Sequence, residues 1–476
     1  MTYLDYFMEL SRIPRGSGNT KRVSDYLVSF AIDNGFEYYR DDLNNVVVIR
    51  DADDEYKDSE PVIIQGHMDM VAVCNPGCDK NMQTEGLDIE TDSEYIWAKD
   101  TSLGADDGIA VAYGMALITD KSLKLPRVEL IVTVDEEIGM LGADAIDLSM
   151  IKGHIMLNID SEDEGEFITS CAGGARIDCV RKMNEISSDI ANCGECMKIT
   201  ISDFVGGHSG TEINKGRANA IIIMGKILKK LGEAKSLLGI ADFHGGIADN
   251  AICNACEAIV LCKPIEPELF DIIKFEAMED YMSVERNAKI SMVKAEGDYT
   301  YYEVGERGIE SFLCAIPNGV VEMSREMEGM VETSLNSGIA SMEDGRFKLS
   351  ISVRSNVDAE KEKLLINLRS TATAFGYTTY THGDYSGWQY RPDSKLRDAV
   401  SEVYTKMYNK PPKYLGLHAG LECGVLAKKI PNLDCVSFGP DIFDIHTTKE
   451  KMSLKSAERV YEFVVNLIDW LKQNEG

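Results

Sequence analysis

The sequence has no apolar run that approaches the roughly 20 residues of a membrane-spanning helix, so we expect no transmembrane segment. Residues 1–9 contain no basic segment ahead of an apolar stretch, and we therefore expect no signal peptide. Positive charge is sparse, because 49 lysines and arginines stand against 79 aspartates and glutamates, for a net charge of −30. Such a surface repels nucleic acid and anionic membranes. Together these absences predict a cytoplasmic protein that binds neither nucleic acid nor membrane.

Low-complexity linkers and clear internal repeats are also lacking, although 476 residues are too many for one compact core. We therefore expect two domains.

The 12 cysteines include C-x-x-C pairs at Cys193/Cys196 and Cys253/Cys256, which leave a zinc or redox role open. Cysteines spread along a cytosolic chain are more often small buried hydrophobic residues.

What the sequence does have is a set of apolar, strand-like runs that end in histidine or acidic residues. The clearest run is 128–134, which leads into Asp135, Glu136 and Glu137. Comparable positions after apolar runs, or before a predicted helix at 109–116, are held by His67, Asp69, Asp106, Asp160 and His446. Strand ends are where α/β sheets place ligand-binding groups. Nitrogen and oxygen ligands without thiolate suit zinc, manganese or cobalt.

Successive side chains of a strand point to opposite faces, and this alternation suggests different roles for neighbouring residues. Glu136 and Glu137 are adjacent and would point to opposite faces of a strand, so one could hold a metal while the other moves protons. His67 and Asp69 are two apart and would share a face, which suits an acid that orients a ligating histidine. A plainer interpretation is that the acids after 128–134 cap the next helix. The segment 207–210 also approaches a serine nucleophile elbow, but Thr211 stands where that motif needs glycine.

Six segments carry a more specific pattern, at 66–71, 101–108, 135–140, 158–162, 206–210 and 418–424. In this order they resemble the motifs of aminoacyl-histidine dipeptidases (peptidase D, or Xaa-His dipeptidases). These enzymes belong to the co-catalytic di-zinc metallopeptidase clan that also holds carnosinases and aminoacylases. The resemblance implies metal-dependent hydrolysis of dipeptides, of Xaa-His type including β-alanyl-histidine, with broad specificity.

The resemblance also implies two divalent metal ions per chain, most simply zinc, with cobalt or manganese as alternatives. His67 and Asp160 would bind one ion, Glu137 and His446 the other, and Asp106 would bridge both. Glu136 would be the general base for a metal-bridging water, with Asp69 orienting His67. A general base of this kind accepts the proton of the water and passes it to the leaving amine.

Substrate-binding residues are implied as well. His208, from a glycine-rich loop, would stabilise the oxyanion, and Arg354 would clamp the substrate carboxylate. Asn250, His418 and Glu422 match substrate-pocket positions. A turn histidine and a surface arginine are the plainer interpretations of His208 and Arg354.

The implied fold is α/β, a zinc-exopeptidase-like catalytic domain with a mainly parallel central sheet, interrupted by an inserted α+β lid domain. We place the catalytic domain at 1–174 and 388–476 and the lid at 175–387. Helices are predicted near 20–34, 217–231, 358–375, 395–408 and 453–472, with lid strands near 198–202 and 346–353. A homodimer is possible, because relatives with small lids dimerise through the lid.

Departures from the family pattern leave substrate preference open. Thr447 and Thr448 follow His446 where relatives tend to have Ser-Pro, and Asp107 replaces a common asparagine. Two other functions stay open: an N-acyl amino acid amidohydrolase on the same scaffold, and a catalytically inactive binding protein.

Overall fold

The computed structural model describes residues 1–473, and these divide into two compact units. Unit 1 consists of residues 1–171, 390–416 and 421 onward. Unit 2 consists of residues 172–389 and 417–420. Unit 1 is therefore discontinuous in sequence, and each unit has its own buried apolar cluster.

The first segment of unit 1 alternates strands and helices. In chain order its elements are α1 (Tyr3–Ser11), α2 (Lys21–Asn34), β1 (Glu37–Arg40), β2 (Val46–Arg50), β3 (Val62–His67), β4 (Ile89–Thr91), β5 (Tyr95–Ala98), α3 (Ala105–Thr119), β6 (Val128–Thr133), α4 (Leu141–Ala145), β7 (Ile155–Asn158) and β8 (Glu166–Cys171).

Unit 2 is built mainly from longer strands. Its elements are β9 (Gly173–Lys182), α5 (Ser188–Ala191), β10 (Glu195–Ser202), β11 (Gly207–His208), α6 (Ala220–Glu233), β12 (Leu237–Gly245), β13 (Ala251–Ile252), β14 (Cys256–Cys262), α7 (Pro267–Met278), β15 (Lys289–Lys294), α8 (Ile309–Ala315), β16 (Gly319–Met323), β17 (Val331–Glu343), β18 (Arg346–Ser355), α9 (Asp358–Ala374) and β19 (Thr378–Tyr385).

The chain then returns to unit 1. The remaining elements are α10 (Lys395–Tyr408), β20 (Lys413–Leu417), α11 (Glu422–Lys429), β21 (Asp434–Ser437), β22 (Ile442–Phe443), β23 (Lys451–Ser453) and α12 (Leu454–Gln473). Short 3-10 turns lie at Asp54–Tyr56, Ile213–Lys215 and Glu279–Tyr281.

The main sheet of unit 1 has the order β1-β2-β6-β3-β7-β21-β8-β20. Its central strands β6, β3, β7 and β21 pair in parallel, whereas β1, β2 and β8 pair antiparallel. Every residue of β3 and β6 is buried. Burial on both faces agrees with their mainly apolar sequences, which do not alternate between apolar and polar residues. The carboxyl ends of the parallel strands consequently meet at one edge of the sheet.

The sheet of unit 2 has the order β15-β10-β14-β12-β17-β18-β9-β19, and β16 pairs with β17. Its strands pair antiparallel, as in β17–β18 and β18–β9. Helix α6 contacts β12, and α9 contacts β18 and β9. Unit 2 is thus an α+β assembly in which the helices bury the apolar side of the sheet.

Strand β6 ends at Thr133, so Glu136 and Glu137 lie in the loop beyond it. The expectation that the strand pleat sends these two side chains to opposite faces is therefore wrong. Asp135 takes a left-handed conformation with φ of 55°, and this turn, rather than the pleat, directs the acids that follow. In residues 1–473, no helix is long and apolar enough to cross a membrane.

Candidate metal centre

His67, the last residue of β3, lies at the centre of a buried polar cluster in unit 1. Its Nδ1 lies 3.3 Å from Oδ1 of Asp69, and both side chains are buried. Asp69 is itself fixed, because its Oδ2 accepts a hydrogen bond from Ser17 at 2.8 Å. With Nδ1 facing an acid, Nε2 of His67 is the nitrogen left for a ligand.

Asp106 lies between two histidines, and each of its carboxylate oxygens faces a different one. Its Oδ1 lies 3.1 Å from Nε2 of His67, and its Oδ2 lies 3.1 Å from Nε2 of His446. The residue is near the start of α3, although its own ψ of 106° is not helical. The carboxylate therefore faces two nitrogen donors at once, which is the arrangement of a bridging ligand.

Each histidine has a second acid of its own. Asp160, just beyond β7, has its Oδ1 3.6 Å from Nε2 of His67. Glu137, in the loop after β6, has its Oε2 3.0 Å from Nε2 of His446. The cluster thus divides into two halves of one histidine and one acid, with Asp106 between them.

The charges of this cluster shift one another's pKa. Burial lowers the pKa of His67, but hydrogen bonds to Asp106 and Asp160 outweigh it and raise the pKa well above the usual value. Hydrogen bonds to Asp106 and Glu137 raise the pKa of His446 to about 10. Burial raises the pKa of Asp160. The cluster therefore takes up positive charge strongly, as protons or as bound cations.

These side chains fit divalent metal ions. His67, Asp106 and Glu137 each present a ligand atom within 4.8 Å of the others, and so do His67, Asp107 and Asp160. Among residues 1–473, Oε1 of Glu137 is buried without a hydrogen-bond partner. A buried carboxylate oxygen in that state is costly, and a bound cation would satisfy it. Asp107 was not among the predicted ligands.

Glu136 lies beside this cluster and is held by Asp69. Its backbone N–H donates to Oδ1 of Asp69 at 3.1 Å. Burial raises the pKa of the Glu136 carboxyl well above its usual value, while the charge of His67 acts in the opposite direction. A carboxylate whose proton affinity is increased by burial is suited to proton transfer near neutral pH.

Two buried charged residues around Asp106 were missed by the sequence reasoning. Glu450 accepts three backbone N–H groups of the loop 103–105, at 2.8, 2.9 and 2.8 Å. Arg15 donates to a carbonyl of the same loop and to the carbonyls of Met68 and Asp69, at 3.0 and 3.1 Å. Neither residue is part of a periodic apolar pattern, and neither stands at a spacing typical of metal ligands. The only available signal was that Glu450 follows His446 by four positions.

In unit 2, His208 is oriented by its own loop. Its Nδ1 accepts backbone N–H groups of Gly210 and Thr211, both at 3.2 Å. A neutral ring with Nδ1 accepting carries its proton on Nε2, which can then donate. Burial lowers the pKa of His208, and the charge of Arg354 lowers it further. The ring is consequently a neutral donor at neutral pH.

Arg354 and His418 belong to the same neighbourhood of unit 2. Arg354, on β18, donates to the hydroxyl of Tyr385 at 3.1 Å, and its buried Nε has no partner among residues 1–473. His418 Nε2 lies 2.8 Å from the hydroxyl of Ser334. Burial, and then the charge of Arg354, lower the pKa of His418 to about 3. The guanidinium thus has donor capacity that the protein does not use.

Asn250 and Glu422 are placed differently from each other. The side chain of Asn250 is exposed, and its backbone carbonyl accepts the N–H of Ser209 at 2.8 Å, next to His208. Glu422, in unit 1, is fully buried and accepts hydrogen bonds from Gln65 and Thr133. Glu422 therefore lies beneath the ends of the strands that precede the candidate ligands.

The structure brings seven predicted site residues together in unit 1. The seven are His67, Asp69, Asp106, Glu136, Glu137, Asp160 and His446.

The chain is similar to known proteins along nearly its whole length. Residues 63–470 match the model of Peptidase family M20/M25/M40. The cytosol non-specific dipeptidase of Escherichia coli (strain K12) is 31% identical over 474 residues, covering 98% of this chain and 96% of that protein. The crystal structure of aminoacylhistidine dipeptidase from Vibrio alginolyticus matches with a TM-score of 0.91 at 30% identity, covering 98% of this chain and 96% of that one. Aminopeptidase PepT from Bacillus cereus ATCC 10987 shares the fold, with a TM-score of 0.55 at 17% identity and 98% coverage of both chains.

Proposed function

Because the chain belongs to peptidase family M20/M25/M40, we propose that it is a dinuclear metallodipeptidase. Its substrates would be dipeptides, with Xaa-His dipeptides among them and broad specificity overall. The observation that carries the proposal is Asp106, whose two carboxylate oxygens each lie 3.1 Å from a different histidine nitrogen. The names of the Escherichia coli and Vibrio alginolyticus relatives, both dipeptidases, support the substrate class.

Two divalent ions would be held by the two halves of the cluster. His67 and Asp160 would bind one, Glu137 and His446 the other, and Asp106 would contact both. When bound, the ions would polarise the scissile carbonyl and lower the pKa of the attacking water. Zinc suits these nitrogen and oxygen donors best, and cobalt or manganese would also be accepted.

Glu136 would move the proton. Its carboxylate accepts the proton of the attacking water and then delivers it to the nitrogen of the leaving amine. The raised pKa caused by burial keeps the carboxyl able to hold that proton between the two steps. Asp69 serves both sides of this reaction, because it faces Nδ1 of His67 and accepts the backbone N–H of Glu136.

Unit 2 would supply the groups that recognise the peptide. We assign the Nε2–H of His208 to the developing oxyanion, since Nδ1 is occupied as an acceptor. Arg354 would pair with the substrate carboxylate, which its unpartnered Nε supports. Asn250 and His418 are assigned to the substrate pocket, whereas the expected substrate contact of Glu422 does not fit its side chain, which is fully buried. Residues 175–387 would accordingly act as an inserted lid.

The binding partners and the location of the enzyme can also be proposed. We propose small peptides as its binding partners and a cytoplasmic location, supported by the word cytosol in the name of the Escherichia coli relative. A homodimer remains compatible with these assignments.

A reconstituted enzyme assay tests the proposal. The metal-depleted chain would be loaded with zinc, cobalt or manganese and assayed on β-alanyl-histidine, a dipeptide library and N-acetylated amino acids. We expect turnover of dipeptides, which carry a free α- or β-amino group. Turnover of the N-acetylated compounds alone would identify a deacylase instead. Absence of both bound metal and turnover under all conditions would identify a binding protein.

A further inference from the structure

Glu422 is the first residue of α11, and it is placed beneath the ligand-bearing strands rather than at an open surface. Its side chain is 0% exposed. Its Oε2 accepts hydrogen bonds from Nε2 of Gln65 at 2.5 Å and from the hydroxyl of Thr133 at 2.6 Å. A carboxylate so enclosed cannot be reached by a substrate without local opening of the fold.

The two donors belong to the strands that carry the candidate ligands. Gln65 precedes His67 by two residues on β3, and Thr133 is the last residue of β6, just ahead of Glu136 and Glu137. In the parallel ladder, His67 is the direct partner of Thr133. One carboxylate oxygen therefore joins the ends of two neighbouring strands.

The connection extends to a third strand. Gln65 also accepts, through Oε1, a hydrogen bond of 2.6 Å from Nδ2 of Asn158, its register partner on β7. Asn158 precedes Asp160 by two residues. The side chains of Asn158, Gln65, Thr133 and Glu422 are all 0% exposed. A continuous buried chain of hydrogen bonds thus crosses β7, β3 and β6 immediately behind Asp160, His67 and Glu137.

We propose that Glu422 is a positioning residue, which fixes the spacing of the metal-bearing strand ends through Gln65 and Thr133 and does not contact the substrate. The inference rests on the proposed function only in taking His67, Asp160 and Glu137 as metal ligands. Its physical basis is the loss of a shared buried acceptor. Without Glu422, the Gln65 amide keeps only a long contact of 3.4 Å to the Thr133 hydroxyl, and that hydroxyl keeps only a contact of 3.3 Å to the Gly66 carbonyl. Outer groups that orient ligands commonly change metal affinity by about 10- to 100-fold when removed.

Three variants separate this role from the alternatives. Thr133→Val removes one donor while keeping the shape of the side chain. Glu422→Ala removes the acceptor, whereas Glu422→Gln keeps an oxygen that can accept from both donors. Thr169→Val is a matched control, since Thr169 is a buried threonine of the same sheet whose hydroxyl bonds to the Leu415 carbonyl at 3.2 Å instead. If Glu422→Ala does not fold, Thr133→Val alone still tests the proposal.

The zinc affinity of each metal-depleted variant would be measured by competition with a chromophoric chelator, together with kcat, KM and Tm. We expect Thr133→Val and Glu422→Ala to weaken zinc binding about 10- to 100-fold and to lower kcat with KM nearly unchanged. Glu422→Gln should restore zinc affinity and kcat close to the wild-type values. Thr169→Val should lower Tm alone.

Three results would overturn the inference. Zinc affinity equal to wild type in Thr133→Val, with only Tm lowered, would make the network merely structural. A rise in KM alone in Glu422→Ala would make Glu422 a substrate contact. A Glu422→Gln variant as poor as Glu422→Ala would show that the charge matters and not the hydrogen bonds. If the wild-type chain itself binds no zinc, the proposed function fails, whereas zinc binding that all variants share contradicts only the positioning role.

Discussion

Glu136 and Glu137 are adjacent acids with different surroundings. Glu137 reaches Nε2 of His446 at 3.0 Å and keeps one oxygen buried and unpaired. Glu136 has its backbone tied to Asp69 and a carboxyl whose pKa is raised by burial. The different roles assigned to the two acids follow from the loop beyond β6, where a residue with positive φ redirects the chain.

Replacing Glu136 isolates the proton transfer. Glu136→Gln keeps the shape of the side chain but cannot accept a proton, so we expect kcat to fall by about 10²- to 10⁴-fold with both metals retained. Parallel steady-state kinetics and metal analysis would measure this. Asp135→Asn is the matched control, because Asp135 is the neighbouring acid and its side chain accepts the Gly18 N–H at 2.6 Å instead of contacting a histidine of the cluster. Equal losses of activity in both variants would contradict the assignment of Glu136.

His418 predicts a pH dependence of stability in unit 2. Its folded-state pKa is lowered to about 3 from an ordinary value of 6.5. Between these pH values the unfolded chain binds the proton and the folded chain does not, so the contribution is complete above pH 6.5 and is lost as the pH falls toward 3. The slope contributed by this one group is at most about 1.4 kcal/mol per pH unit.

The measurement is the free energy of unfolding of wild type and His418→Asn at several pH values from 3.5 to 7. We expect the difference between the two proteins to change with pH, with the wild type losing more stability on acidification. Parallel curves would show that His418 titrates alike in the folded and unfolded chains.

At the scale of elements, the helices that were predicted from the sequence lie close to their predicted positions. Helix α10 occupies Lys395–Tyr408 as predicted, and α2 occupies Lys21–Asn34 with Gly35 in the left-handed conformation that ends it. Both helices show a clear apolar face, which is the signal that sequence carries. Helix α6 begins at Ala220, three residues later than predicted, because Asn219 accepts the N–H groups of Ile221 and Ile222 and caps it.

Strand ends were harder to predict, and the candidate site depends on them. Strand β6 stops at Thr133 and β3 at His67, so the side chains beyond them follow loop geometry. The groups that hold those loops are distant in sequence. Glu450, for example, binds loop 103–105 from about 345 positions away. No local pattern encodes such a contact, which explains why Arg15, Glu450 and the network of Glu422 were not foreseen as supports.

Glu450 provides a test of how a loop is held. Glu450→Ala would leave three backbone N–H groups of loop 103–105 without their acceptor, in a buried site. Each buried donor left unpaired costs about 1–3 kcal/mol, so we expect a marked loss of stability and weaker zinc binding at Asp106. Chemical denaturation and zinc titration would measure the two effects. In Glu450→Gln, which keeps one accepting oxygen, both losses should be smaller, and an unchanged zinc affinity in Glu450→Ala would contradict the role of the loop.

At the scale of the whole molecule, the predicted family and fold class are confirmed by the family match across residues 63–470 and by the structural match at a TM-score of 0.91. The prediction of a peptidase is confirmed with them. The resemblance could establish this because the motifs keep their residue types and order along the chain. The domain limits of 175–387, the metal identity and the individual residue roles stay predictions.

Metal should stabilise the chain as well as activate it. A ligand that binds only the folded state adds about 4 kcal/mol at 1,000 times its Kd, so zinc should raise Tm and a chelator should lower it again. Differential scanning calorimetry with and without zinc would measure this shift. Asp106→Asn, which weakens the residue shared by both halves of the cluster, should lose most of it. An identical Tm with and without zinc in the wild type would contradict a metal site at this cluster.

The most direct test of the central claim is a titration of the metal-depleted chain with zinc while the hydrolysis of β-alanyl-histidine is followed. We expect turnover to rise to a plateau at two zinc ions per chain, as required when Asp106 contacts two ions. A plateau at one zinc ion, or no turnover of this or any other dipeptide at any zinc concentration, would contradict it.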